Sequence, residues 1–177
     1  MTEWCGRAPQ GRDFEYILVY TEKMTALERI CAALKQAGVR YAIVGGHAVA
    51  LHGAVRGTVD IDVAISWSRK SLLATEKALN DLGLVSRLPI TAEDIFDFRK
   101  EYIENRNLTA WNFYNPNDLS IRVDIIISYD LKGKRTKRIQ LVDGPIQILE
   151  IRELIKMKRA SARPQDMEDV RALEQLR

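Results

Sequence analysis

The stretch Thr58–Ile65 constrains this chain more than any other. Val59, Ile61, Val63 and Ile65 alternate with Thr58, Asp60 and Asp62. A period of two predicts a strand with one face buried and the other turned out. Both carboxylates then share the outward face, with Cα atoms about 6.5–7 Å apart. Two such groups converge naturally on one or two hard cations. Mg²⁺ takes oxygen ligands of this kind and keeps positions for substrate phosphates. A pair of metals clamps the attacking and leaving oxygens of a phosphoryl transfer.

Upstream, Val39–Val44 reads as a short buried strand. Gly45-Gly46 is expected to be a tight turn, with His47–His52 a short helix ending at Gly53. Thirteen residues separate Gly46 from Asp60. Glycines at such a turn let backbone N–H groups approach a phosphate closely. Arg56 and Thr58 offer a charge and a hydroxyl beside the carboxylates. Downstream, Asp124 sits inside the apolar run Ile121-Arg122-Val123-Asp124-Ile125-Ile126-Ile127. A buried carboxylate is costly there unless it is paired or ligates a metal. Ion pairing offers a plainer account, with Asp60 or Asp62 on Arg56 and Asp124 on Arg122. His47 fits either a phosphate contact or the first turn of its helix, and His52 fits packing. Trp67, close after the strand, fits a base pocket or the core.

The rest of the chain mixes helices with hairpins, which predicts an α+β fold with a mixed sheet and C-terminal helices. Thr25 and Glu28 form a capping-box pattern before a helix stopped at Gly38. Helices are also expected after Ser68 to about Leu82, from Thr91, over Ile148–Ala160 and over Pro164–Leu176. Leu108–Tyr114 and Leu119–Ser128 flank a hairpin turn at Asn115–Asp118, and Arg138–Val142 reads as a further strand. Residues 1–20 read as an N-terminal arm and 21–177 as the domain; Phe14–Tyr20 fits a strand or a docking segment.

Charge is uneven: residues 131–177 carry +5, and the first 130 carry −2. Lys132–Arg138 holds five basic residues in seven. It reads as a solvated loop or an RNA-facing one. Cys5 and Cys31 have no zinc-ligand spacing, and no leader pattern is present. The longest charge-free run, Tyr41–Val55, is too short to span a bilayer. A cytoplasmic protein without membrane partners is expected.

The segment from Val44 to Val63 resembles the signature of the polymerase-β-type nucleotidyltransferase superfamily: hydrophobic-Gly-Gly/Ser, a spacer, then Asp-hydrophobic-Asp/Glu-hydrophobic. Lys158–Asp169, read as K-x₄-R-P-x-D-x-x-D, is similar to the pattern of bacterial nucleotidyltransferase toxins of toxin–antitoxin and phage-abortive systems (the AbiEii-like branch). The resemblance spans residues 25–177. It implies a mixed sheet with flanking helices and transfer of a nucleotidyl group from an NTP such as ATP, with pyrophosphate released. It implies two Mg²⁺ held by Asp60, Asp62 and Asp124, the last also orienting or deprotonating the acceptor hydroxyl. Gly45, Gly46, Arg56 and Thr58 would hold the nucleotide, with Lys158 and Asp166 assisting. The acceptor would be tRNA or other RNA, a protein or a small molecule. A regulatory, weakly active nucleotide-binding component of a toxin–antitoxin pair, working with a cognate protein partner, is the alternative. Two departures stand out. His47 follows the glycines where other branches carry Ser in the signature, and 61 residues separate Asp62 from Asp124. That gap leaves room for an inserted helix near Thr91–Asn105, with Asp118 and Asp130 as substitutes for Asp124.

Overall fold

The computed structural model describes residues 24–176, so the expected arm and the Phe14–Tyr20 segment lie outside the described residues. Helix α1 (Ala26–Gln36) starts where the capping box predicts. The Thr25 hydroxyl accepts from the Glu28 N–H, and the Glu28 carboxylate accepts from the Thr25 N–H. Ile30, Cys31 and Leu34 of α1 are buried in the core. Strand β1 (Tyr41–Ile43) is fully buried. Helix α2 (Gly45–Leu51) begins at Gly45 itself, so both glycines form its first turn rather than a separate turn before it. Its C-cap residue His52 donates from Nε2 to the Leu149 carbonyl at 2.9 Å, which bears out a packing role.

Strand β2 (Ile61–Ile65) is shorter than the alternation suggests. Val59 is 56% exposed, because the chain before Ile61 has left the sheet. Helix α3 (Arg69–Asp81) is capped by the Ser68 hydroxyl. A two-residue strand β3 (Val85–Ser86) follows, then α4 (Ala92–Asp97) and α5 (Arg99–Arg106), which divide the single helix expected from Thr91. Strands β4 (Ala110–Asn115) and β5 (Asp118–Ile126) make the expected hairpin. Strands β6 (Thr136–Leu141) and β7 (Gly144–Leu149) make a second. Thr136, Lys137 and Arg138 therefore belong to a strand, where a basic loop was expected. Helices α6 (Ile151–Ser161) and α7 (Pro164–Glu174) close the described chain.

The seven strands form one mixed sheet in the order β3-β4-β5-β2-β1-β7-β6. Pairings β1–β7 and β2–β5 are parallel, and the others antiparallel. This is the α+β architecture that the element pattern predicts. The core is built on the sheet, with Trp111 and Phe113 fully buried and their ring centroids 4.6 Å apart. No helix among the described residues is long and apolar enough to cross a membrane.

Candidate active site

Register assembles the site. Parallel pairing of β2 with β5 sets Asp62 directly opposite Asp124. Antiparallel pairing of β4 with β5 sets Asn112 opposite Asp124 on the other side. Residues opposite one another project from the same face, with Cα atoms about 4.8 Å apart. Asn112, Asp124 and Asp62 thus form one row across three strands. Asn112 Nδ2 donates to Asp124 Oδ1 at 2.8 Å. Two residues along the β4–β5 pairing, Tyr114 stands opposite Arg122, and Asp60, just before β2, reaches Arg122 through its side chain. Arg122 Nε lies 3.0 Å from Asp60 Oδ1.

Glycine 45 completes the first row from above. The Val44 N–H donates to the Asp62 carbonyl at 2.9 Å, which extends the β1–β2 contact and lays Gly45 against the Asp62 side chain. A Cβ on Gly45 would sit 1.8 Å from Asp62 Oδ2, and the residue holds φ +60°. Both the space and the backbone demand glycine here. A Cβ on Gly46 would meet Thr58 Cβ at 2.6 Å. Thr58 therefore packs under the glycine turn.

Burial raises the Asp62 carboxyl to about 6, and the charges of Asp124 and Asp60 push the same way. Asp124 is raised too, by burial first, against the hydrogen bond from Asn112. Two half-buried carboxylates that resist ionisation beside each other are ready to receive a cation. Asp62 and Asp124 fit Mg²⁺, which needs few protein ligands and takes phosphate oxygens and water for the rest. The triad is not assembled in full. Among the described residues no three His, Cys, Asp or Glu side chains converge as a metal cluster, and Asp60 is turned to Arg122.

The remaining expected residues form a charged network, and Lys158 and Asp166 of it line the same cleft as Gly45, Asp62 and Asp124. Lys158 is 6% exposed. Its Nζ donates to Asp166 Oδ1 at 3.0 Å and to Asp169 Oδ2 at 2.6 Å. Arg163 Nε reaches Asp166 Oδ2 at 2.7 Å, and Arg56 Nε lies 3.2 Å from Asp169 Oδ1. Burial works against ionisation of Asp166, yet the hydrogen bonds from Arg163 and Lys158 prevail and bring it down to about 2. Lys158 and Asp166 thus tie α6 to α7, and Arg56 ties the segment before β2 to α7. His47 is half-buried, and burial holds its ring below the usual histidine range. Trp67 lies under the Arg99 guanidinium, 4.0 Å from the ring centroid, and packs on the core.

Two depressions meet at the first row. A cleft of about 720 Å³ runs from Gly45 and Asp62 past Asp124 to α6, lined also by Tyr129, Lys134, Lys156 and Arg163. A pocket of about 430 Å³ lies on the β4 side, lined by Asp60, Arg87, Asn112, Tyr114, Arg122 and Asp124. Asp124 belongs to both. Tyr129, Lys134, Lys156 and Arg87 carry no motif. Their only signal in the sequence is position, at strand ends and on the outer turns of a helix.

No family model matches the sequence, and no curated protein matches it. Solved structures match in shape. The antibiotic-resistance factor ANT(2'')-Ia, in its solution structure, is similar at TM-score 0.54 and 14% identity, over 86% of this chain and 83% of that one. An antigenic nucleotidyltransferase-like protein from Paracoccidioides brasiliensis is similar at TM-score 0.53 and 16% identity, over 81% of this chain and 71% of the other. The lincosamide antibiotic adenylyltransferase LnuA, solved with lincomycin bound, is similar at TM-score 0.52 and 15% identity, over 95% and 98%. The fold is that of the nucleotidyltransferases, as the resemblance of Gly45-Gly46 and Asp60–Val63 implies.

Proposed function

We propose that this chain is a Mg²⁺-dependent nucleotidyltransferase that moves the NMP group of an NTP to an acceptor hydroxyl. The observation that carries this is the first row: Asp62 and Asp124 in register, Gly45 pressed on Asp62, and a depression on either side. The larger cleft takes the nucleotide, with Gly45 beside the triphosphate and Arg163, Lys156 and Lys134, paired with Asp166 and Glu153 in the free protein, supplying cations for it. The acceptor lies across Asp124. Its hydroxyl oxygen bonds to the α-phosphorus, the bond from that phosphorus to the bridging oxygen of pyrophosphate breaks, and the acceptor proton passes to Asp124. When bound, Mg²⁺ on Asp62 and Asp124 neutralises phosphate charge; Asp60 joins them if Arg122 releases it. Positioning and charge suffice for such chemistry, and no covalent nucleophile is needed.

Similarity of fold to LnuA, an adenylyltransferase, supports nucleotidyl transfer and ATP as the first nucleotide to test. The Lys158–Asp169 pattern supports a place among cytoplasmic nucleotidyltransferase toxins, whose acceptor would be RNA or a protein. A second reading rests on Asp60, which is engaged by Arg122 rather than by its fellow carboxylates. It makes the chain a nucleotide-binding regulator with little turnover.

The test incubates the protein with each α-³²P-labelled NTP, Mg²⁺ and bacterial RNA, protein and small-molecule extracts, beside an Asp60→Ala/Asp62→Ala variant. Label on an acceptor with wild type alone supports the transferase. NTP·Mg²⁺ binding without label supports the regulator. Neither binding nor label removes both.

A further inference from the structure

We propose that the 430 Å³ pocket is an acceptor site for a small hydroxyl compound that also bears a phosphate or carboxylate. The transfer itself rests on the function proposed above; the pocket's choice of an anion does not.

The register carries the first part. β3 pairs with β4 with Ser86 opposite Phe113, and the Arg87 N–H donates to the Asn112 carbonyl at 2.9 Å. Arg87 therefore extends the row Asn112–Asp124–Asp62 by one strand. An anion held by Arg87 lies two strand spacings, about 10 Å, from Asp124. A compact acceptor of sugar size bridges that span with its hydroxyl at Asp124, and the pocket volume suits a ligand of that size.

Charge carries the second part. The pocket's two carboxylates are both engaged, Asp60 by Arg122 and Asp124 by Asn112. No other acid lines it, and Asp124 is reserved for the reacting hydroxyl, which leaves Arg87 as the group free to select a charged substituent. Arg87 makes no ion pair among the described residues, and its fork of donors suits a phosphate or carboxylate. The Tyr114 ring and the exposed Leu119 supply an apolar wall.

Topology favours a small acceptor over RNA at this pocket. The basic segment Lys132–Arg138 leads into β6, at the sheet edge opposite β3. Lys134 from it lines the nucleotide cleft instead. An RNA gripped by that segment would meet the 720 Å³ cleft first, on the other side of Asp124 from Arg87.

The test uses three matched probes on ¹⁵N-labelled protein: glucose, glucose 6-phosphate and glucosamine. The expected result is that glucose 6-phosphate shifts the amides of Arg87, Asn112, Tyr114 and Arg122. It should bind about tenfold more tightly than glucose, with glucosamine the weakest, since charge-assisted pairs carry the preference. Arg87→Gln should erase the phosphate preference to within about twofold, and Arg87→Lys, which keeps the charge and loses the fork, should fall between wild type and Arg87→Gln. Equal binding of the three probes, preference for glucosamine, or shifts confined to the Gly45–Lys156 cleft would overturn the proposal. A short RNA that shifts the same four amides and outcompetes glucose 6-phosphate would overturn the small-acceptor part. If the phosphate preference holds but no labelled NTP transfers to such compounds, the acceptor role of the pocket fails while its anion binding stands; the transferase reading is judged separately, by label on the RNA, protein or small-molecule extracts.

Discussion

Asp62 bears the sharpest conflict in the chain, a carboxylate half removed from water and faced by two others. Its folded value, about 6, stands above the ordinary 3.8. Between these values the folded state holds a proton that the unfolded chain has released, so stability falls as pH rises through that window. Above it, the ionised group costs on the order of 3 kcal/mol. Asp62→Asn removes that cost. Without divalent metal, calorimetry should show its Tm roughly 6–12 °C above wild type at pH 8 and only about 2–4 °C above at pH 4.5. An equal gain at both pH values would mean that ionisation is not the cause. Gly45→Ala acts on the same carboxylate by sterics. A methyl 1.8 Å from Oδ2, on a backbone at φ +60°, must displace Asp62. Nucleotidyl transfer should fall by at least about 100-fold, because such chemistry depends on sub-ångström placement. Gly38→Ala, which also has positive φ but open space, serves as the control and should leave the rate per folded molecule unchanged.

At the level of elements, α6 and α7 are joined by charge. Asp166 and Asp169 are both under 5% exposed, and Lys158 lies between them. Removing one partner of such a buried cluster strands the others, at a cost of about 3–5 kcal/mol. Lys158→Met should therefore lower Tm by roughly 6–20 °C. A lysine whose role is only to touch phosphate would leave Tm alone and weaken the nucleotide, so the melt separates the two roles. The motif Lys158–Asp169 was legible in the sequence, but its partners were not. A spacing along the chain says that charges lie on adjacent helical turns, not that they close on one another in the core. The pairing of Arg122 was hidden for a similar reason. Asp124 is its neighbour in sequence, whereas Asp60 becomes its neighbour only through the β2–β5 register. Strand β7 escaped too. Pro145 argues against a strand, since it cannot donate to the ladder. The apolar Ile148 and Leu149 read equally well as the start of the helix that begins at Ile151. Capping residues, by contrast, located α1 and α3 to within a residue, because a side chain that satisfies free N–H groups acts locally.

Across the whole molecule, the sheet places unlike chemistry on the two sides of one carboxylate row. Arg163, Lys156 and Lys134 gather around the cleft that runs from Gly45 to α6, and Arg87 and Arg122 stand over the opposite pocket. The division predicts which variants a nucleotide will sense. A ligand that binds only the folded state, at about 100 times its Kd, adds about 2.7 kcal/mol. For a chain of this length that raises Tm by roughly 5–11 °C. ATP·Mg²⁺ should produce this shift with wild type and Arg87→Gln, and lose most of it with Asp62→Asn/Asp124→Asn. Arg163→Gln should sit between them. Its side chain is 75% exposed while its partner Asp166 is buried, so the protein without nucleotide also loses some stability, less than with Lys158→Met because Lys158 still holds Asp166. It should nonetheless weaken the nucleotide by about tenfold, as expected for one charge-assisted phosphate contact. A melt series across ATP concentrations reads both effects in one experiment. Should Arg87→Gln abolish the shift while Arg163→Gln keeps it, the nucleotide and the acceptor exchange places across Asp124, and the carboxylate row serves the transfer from the other side.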